Sequence, residues 1–368
     1  MDINSQIDLA IENFDFEGKV IDKKPLKKGH INDTFCIVCE TENKQNKKYI
    51  LQKINTNIFK NPDELMKNVV NVTSYIRKIV IENGGNPERE TLNIIPTKNG
   101  ENYYKDKKGD CFRVYKFIED ATTYDLVQNA KDFYESAVAF GNFQRLLSNF
   151  PADTLYETIP NFHNTVDRLN KLKEAIQKDT LNRVKNVKEE IDFVLNREKD
   201  CHIICDLLEK GEIPLRVTHN DTKLNNIMID NKTKKAICVI DLDTVMPGTV
   251  LNDFGDSIRF GASTALEDEQ DLSKVECSME LFEAYTKGFI EGVKGNLTDK
   301  EKEMLPMGAK IITLECGIRF LTDYLQGDTY FKINRDNHNL DRARTQFKLV
   351  LDMENKWEQM KNIVKKYC

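Results

Sequence analysis

The hydrophobic period of this chain changes near residue 120, and that change limits the folds open to it. From residue 17 to about 118, apolar residues fall in short strand-like runs: KVIDKKPL, INDTFCIVCE, KKYILQKI, TLNIIPT and CFRVYKFI. One helix interrupts them, opening at Asn61–Pro62, where proline suits an early helical position, and running toward Ile81. From about Tyr124 the spacing becomes three and four residues, as in DLVQNAKDFYESAVAFGNFQRLL and EKEMLPMGAKIITLECGIRFLTDYL. Two short strands break this helical half, LRVTH and AICVIDL, with NIMID between them. The pattern predicts an α+β protein, with a small β-rich lobe over residues 1–118 and a larger helical lobe over 119–368. Two domains also suit 368 residues, at roughly 150 residues each.

A formal net charge of −6 argues against general nucleic-acid binding, which favours basic faces. No apolar run reaches the roughly 18 residues of a membrane-spanning helix, and the acidic start MDINSQIDLAIENFDF carries no signal-peptide core. A cytoplasmic location follows as an expectation, with the nine cysteines as free thiols. Cys36 and Cys39 form a C-x-x-C inside the strand-like FCIVC, without the turn or second ligand pair that redox or zinc chemistry needs; they read as packed thiols.

The chemistry concentrates in VTHNDTKLNNIMID, Val217–Asp230. His219-x-Asp221-x-Lys223-x-x-Asn226 has the spacing of a kinase catalytic loop, in which an Asp takes the substrate hydroxyl proton and an Asn five residues on holds a metal. Phosphoryl transfer asks mainly for positioning and charge neutralisation. Asp221 supplies the carboxylate beside the attacking oxygen, Lys223 a cation for the migrating group, and Asn226 an oxygen ligand for Mg²⁺. AICVIDLDTVMPG then places Asp241 after an apolar run as a second metal ligand. Asp243, on the same strand face by two-residue alternation, joins it as a ligand. NDFGDSIRF spells the metal-binding triplet of protein kinases at Asp253-Phe254-Gly255, but 32 residues from Asp221 and after a Pro-Gly loop. It reads instead as a helix start whose Asp253 or Asp256 braces the catalytic loop. His219 reads as a buttress of the same loop.

These residues resemble the aminoglycoside-phosphotransferase-like kinases, which usually carry H-G-D-x-x-x-x-N and then I-D-W or I-D-x-[DE]; here Asn220 stands in place of the Gly. Within that group, HNDTKLNN, IDLDTVMPG, DFGDSIR, GHINDTF (Gly29–Phe35), YILQKIN (Tyr49–Asn55) and LECGIRFLTDYLQGDTYF (Leu314–Phe331) are similar to the N-acetylhexosamine 1-kinases. The resemblance implies a two-lobed protein-kinase-like fold, ATP and Mg²⁺ as cofactors, and transfer to the anomeric hydroxyl of GlcNAc or GalNAc. GHINDTF then sits where a glycine-rich loop lies, with Gly29, Asn32 and Thr34 about the phosphates. Aligning I-L-Q with the kinase A-I-K puts Gln52 at the phosphate-lysine position and Lys53 on the opposite face. Either remains open, with Glu64 as the partner carboxylate. Phe117 to Glu119 form the hinge for adenine.

The sugar side falls to the helical half, on a helix ending at Gly327. Arg319 and Asp323 share a face, either as an intrahelical ion pair or as sugar ligands; Asp328 and Tyr330 follow, and His30 faces the sugar from the N-terminal turn. Two other functions stay open: a kinase for an amine-bearing alcohol, with Asp323 and Asp328 as its acidic groups, and a non-catalytic kinase-like binding module. The partner expected is a small-molecule sugar, with neither nucleic acid nor membrane.

Overall fold

The computed structural model describes residues 3–26, 31–127 and 129–368. The chain divides into two compact units. One gathers residues 1–122, 154–160 and 228–245; the other holds 123–153, 161–227 and 246–368.

The first unit is built on an antiparallel sheet. After helix α1 (Ile3–Ile11) come β1 (Lys19–Leu26), β2 (Asp33–Glu40) and β3 (Asn46–Ile54). Then follow α2 (Pro62–Glu82), the single turn α3 (Pro87–Glu90), β4 (Ile94–Ile95), β5 (Tyr104–Lys105) and β6 (Cys111–Lys116). The sheet order is β1-β2-β3-β6-β4, with β5 also on β6. The expected TLNIIPT strand shrinks to two residues beside Pro96, which has no N–H to extend the ladder. Asn61 caps α2 by accepting from Glu64 N, as the Asn-Pro start predicts. Alternation drives one face of β2, β3 and β6 into a core with α1: Phe35, Ile37, Cys39, Tyr49, Leu51, Phe112 and Val114 pack on Ile7, Ala10 and Phe14. Cys36 and Cys39 lie three apart on β2, so their side chains take opposite faces.

A second small sheet completes this unit. β7 (Ala121–Thr122) pairs with β9 (Ile227–Asp230), and β9 with β10 (Ala236–Val239). Asn68 of α2 ties three segments of the unit together. Its Nδ2 donates to Tyr156 O (2.8 Å) and Val245 O (3.0 Å), and its Oδ1 accepts from Tyr156 N (2.9 Å).

The second unit is helical: α4 (Ala130–Leu146), α5 (Thr165–Lys178), α6 (Lys188–Leu195), α7 (Glu198–Glu209), α8 (Val250–Gly261), α9 (Met279–Val293), α10 (Asp299–Gln326), α11 (His338–Asn355) and α12 (Trp357–Tyr367). A two-stranded ladder of β8 (Arg216–Thr218) and β11 (Met246–Gly248) carries the catalytic-loop sequence at its end. α10 opens with a Thr298/Glu301 capping box, ends at left-handed Gly327, and is buried along most of its length. α8 crosses it at glycine: a Cβ on Gly255 would lie 2.4 Å from Gly308 O. Glycine at both positions lets the two backbones touch, which fixes α8 behind the loop that follows β8. No described helix is long and apolar enough to cross a membrane.

Candidate active site

The loop after β8 reverses sharply at Asn220, whose φ of 64° lies in the left-handed region. Among residues with a Cβ, Asn enters that region most readily, which explains how it replaces glycine here. α8 then holds the loop by its backbone. Asp253 Oδ2 accepts from His219 N (2.9 Å) and Gln144 Nε2 (2.7 Å), and Oδ1 from Asn220 N (2.8 Å). Asp256 Oδ2 accepts from Thr222 N (2.9 Å), while Ser257 Oγ donates to Thr222 O (2.8 Å). Burial pushes the Asp253 carboxyl up, against the pull of His219 and the backbone N–H groups. Asp253-Phe254-Gly255 is therefore a brace and a helix crossing, as the sequence spacing suggests.

His219 is fully buried, set edge-on to Phe140 and Phe143, and its Nδ1 accepts from Asp221 N (3.3 Å). A second histidine, which no motif flags, supports the loop. His163 pairs through Nδ1 with Glu315 Oε1 (2.9 Å), and its Nε2 lies 3.5 Å from Asn220 O.

The chemical groups stand on the far side of this brace. Lys223 Nζ pairs with Asp221 Oδ1 at 2.8 Å, and the Asp221 side chain stays 27% exposed. Asn226 Nδ2 donates to Asp221 O (2.8 Å) and Asp221 Oδ2 (3.1 Å). Burial pushes the Asp221 carboxyl up, but the Lys223 ammonium, His219 and the Asn226 amide outweigh it and hold the group below its ordinary value. The loop thus presents an ionised carboxylate, a cation and an amide oxygen together.

In the first unit the strand expected to carry both acidic residues stops early. β10 ends at Val239, and Asp241 takes a left-handed φ of 58° that opens a turn at Leu242–Thr244. Two-residue alternation therefore does not apply to Asp241 and Asp243. Asp243 is buried, and both of its oxygens are engaged: Oδ1 meets Arg113 NH1 at 2.5 Å and Oδ2 accepts from Asn32 Nδ2 (2.6 Å). Arg113 in turn holds Gln52, which reaches Thr34 Oγ1. Lys53 points the other way, to Asp110 (3.0 Å) and Gln6 (2.9 Å). The carboxylate partner on the Gln52 face is Asp243, whereas Glu64 sits in the first turn of α2. Arg113 escaped the sequence reading because one arginine inside an apolar strand matches no motif. Gly29 and His30 lie outside the described residues. Phe117 N–H is committed to Lys48 O (3.1 Å), and Glu119 pairs with Lys48 (3.1 Å) and accepts from Arg89 through its carbonyl (3.0 Å).

Asp241 in the first unit and Asn226 in the second each carry side-chain oxygens that are hard donors. Among the described residues no cluster of three or more His, Cys, Asp or Glu forms a protein-only metal cage. Hard-oxygen donors of this type suit Mg²⁺, which takes one or two carboxylates and completes its shell with phosphate and water.

The expected sugar residues cluster at the end of α10. The Arg319 guanidinium lies over the rings of Phe162 (5.4 Å), Phe331 (5.5 Å) and Tyr330 (6.0 Å). Asp323 does not answer it: its oxygens accept from Thr329 N, Tyr330 N, Phe331 N and Asn339 Nδ2 at 2.8–2.9 Å. Asp328 pairs with Arg183 (2.6 Å) and accepts from Asn339 (2.9 Å). Arg168 lies close enough that burial and the Arg319 charge hold its pKa down, and its Nε is buried with no hydrogen-bond partner among the described residues.

An antiparallel-sheet unit, a helical unit and a loop joining carboxylate, cation and amide are the features of a kinase-type phosphotransferase. The chain belongs to the phosphotransferase enzyme family, whose model matches residues 24–276. Solved structures share the fold at low identity. An aminoglycoside phosphotransferase from Alicyclobacillus acidocaldarius is 11% identical, with a TM-score of 0.64 over 98% of this chain and 96% of that one. An amicoumacin kinase in complex with AMP-PNP, Ca²⁺ and Ami is 13% identical, with a TM-score of 0.62 over 97% and 94%. A choline kinase from Cryptosporidium parvum is 15% identical, with a TM-score of 0.58 over 100% and 99%.

Proposed function

We propose that this protein is an ATP-dependent sugar kinase that phosphorylates the anomeric hydroxyl of N-acetylhexosamines such as GlcNAc or GalNAc. Asp221 orients or deprotonates that hydroxyl, and Lys223 stabilises charge on the γ-phosphoryl group. Asn226 and Asp241 hold Mg²⁺, which when bound neutralises charge on the β- and γ-phosphates. Asn32 and Thr34, the latter on β2, serve the phosphate site, and the segment Phe117–Glu119 the adenine site. Arg319 and Tyr330 contact the sugar, while Asp323 and Asp328 act indirectly by shaping the turn that carries Tyr330.

The observation that carries this reading is the charge around Arg319. A cationic acceptor needs an acidic or open aromatic cage. Here Asp323 and Asp328 are spent on the backbone, Asn339 and Arg183, and the exposed chemistry is arginine stacked on rings. A guanidinium donates well to the hydroxyls and acetamido carbonyl of a neutral sugar. The test is to incubate the protein with GlcNAc or GalNAc and Mg-ATP, and to follow ADP and reducing ends. Phosphorylation at carbon 1 blocks ring opening, so each ADP formed should remove one reducing end. ADP without loss of reducing ends refutes the 1-kinase assignment and leaves a kinase; ADP only with choline or an aminoglycoside moves the substrate to the amine alcohols.

A further inference from the structure

Two guanidiniums set side by side repel each other unless an acid stands between them. The helical unit holds such a pair. Arg168 of α5 and Arg319 of α10 meet at Phe162: Arg168 NH2 donates to its carbonyl (2.9 Å), and the Arg319 guanidinium lies over its ring (5.4 Å). Acids nearby are spent elsewhere. Arg168 reaches Asp167 at 3.9 Å, but Lys171 holds that carboxylate closer, at 2.6 Å. Glu315, one turn before Arg319 on α10, attracts both arginines, yet its oxygens bond His163 Nδ1 (2.9 Å) and Thr165 Oγ1 (2.8 Å). Among the described residues Arg319 meets ring faces and neither a hydrogen-bond acceptor nor an ion-pair partner, and Arg168 Nε has no acceptor. The corner is open to solvent, with the Arg168 side chain 16% and Tyr330 64% exposed.

We propose that Arg168 and Arg319 form an anion subsite, and that the preferred acceptor sugar carries an acidic substituent, a carboxylate or a phosphate monoester, that binds there. The inference rests on the sugar-kinase reading of this unit and narrows its substrate class. Stacking engages the face of the Arg319 guanidinium and leaves its edge, where the N–H groups lie, for a ligand. Guanidinium edges match the paired oxygens of a carboxylate or phosphate. One arginine could serve a neutral sugar; two adjacent ones also call for a negative charge, which hydroxyls and an acetamido carbonyl do not bring. His163 and Glu315 connect Asn220, beside Asp221, to the helix turn that carries Arg319. The sugar ring spans from Asp221 to the arginines, with the anomeric hydroxyl at one end and the acidic group at carbon 6.

Two measurements on the full chain test this. Sulfate is titrated calorimetrically into the wild type, Arg168→Gln and Arg319→Gln, without nucleotide or sugar. Sulfate bound elsewhere is common to all three, so the difference reads the subsite; each variant should bind at least about tenfold more weakly. Where Arg168→Gln does not fold, Arg319→Gln, which breaks no hydrogen bond, carries the same readout. The second measurement compares kcat/KM for GlcNAc, GlcNAc 6-phosphate and N-acetylglucosaminuronic acid, whose carboxylate is carbon 6. One acidic sugar should exceed GlcNAc at least about tenfold and lose that advantage in Arg319→Gln; which one does so tells phosphate from carboxylate. No sulfate binding by the wild type, or affinities within about threefold of it in the folded variants, overturns the subsite. GlcNAc as the best of the three sugars overturns the acidic acceptor. If no sugar is turned over while sulfate binding still depends on the arginines, the sugar-kinase reading has failed and the anion subsite stands.

Discussion

Asp221 and Asp253 stand close in the same loop assembly, yet their surroundings assign them opposite work. Asp221 keeps part of its surface open and faces a lysine and an amide. Asp253 is buried and accepts three N–H groups. Asp221→Asn should lower kcat by roughly 10²–10⁴ with the fold intact, the range of a positioned acid–base group; a variant keeping more than a tenth of wild-type kcat removes Asp221 from the base role. Asp253→Asn turns an acceptor into a donor against a backbone N–H. It should cost about 1–3 kcal/mol in unfolding free energy and leave the Mg²⁺ dependence of turnover unchanged, whereas Asp241→Asn should shift that dependence. A Mg²⁺ titration that moves for Asp253→Asn alone would exchange the two roles. The spacing from His219 to Asn226 made the loop legible, because polar residues packed so densely between strands have few structural uses. Arg113 and His163 were not legible. Each is a single residue whose meaning depends on a partner about 130 or 57 residues away, Asp243 in one case and Asn220 in the other, and periodicity carries no such information.

At the level of elements, strands and helices followed their periods closely, and failures fell where a backbone angle rather than a side chain decided the outcome. Asp241 is the clearest: the apolar run predicts continued strand, but β10 stops at Val239 and a left-handed turn follows, so two-residue alternation no longer relates the two acids. The α8–α10 crossing gives a test. Gly255→Ala places a methyl against Gly308 O and forces the helices apart, at a cost of about 1–3 kcal/mol. Because α8 carries the braces of the catalytic loop, kcat should fall with Tm; full activity with a lowered Tm would separate the crossing from the loop. The β9–β10 hairpin gives another. The Thr233 N–H and hydroxyl and the Arg89 guanidinium hold the Asp230 carboxyl well below the usual carboxylate range. A depressed folded-state value means that this stabilisation is complete above the unfolded-chain value near 3.8 and disappears as pH falls through the lower folded one. Asp230→Asn should therefore lose stability at neutral pH and show a shallower decline in acid. Equal slopes in denaturant melts of both proteins between pH 5 and pH 2.5 would exclude Asp230 from that linkage.

At the level of the whole molecule, the sequence places strands before helices, but it does not show that the first compact unit is assembled from three separate stretches of chain. The stretch 1–122 contains the main sheet and still lacks the partners of Asn68 and Arg113. Expressed alone, it should fail to give a cooperative thermal transition, whereas a fragment joining 1–122 to the hairpin 228–245 should recover part of one. A cooperative melt of 1–122 by itself would show that those partners are dispensable. The Arg113–Asp243 contact also has a meaning during synthesis. The arginine leaves the ribosome about 130 residues before its counter-ion, an interval on the order of ten seconds at elongation rates of about 5–20 residues per second. Throughout that interval the nascent sheet holds a cation it cannot yet bury, so the last step of its closure waits for the translation of Asp243.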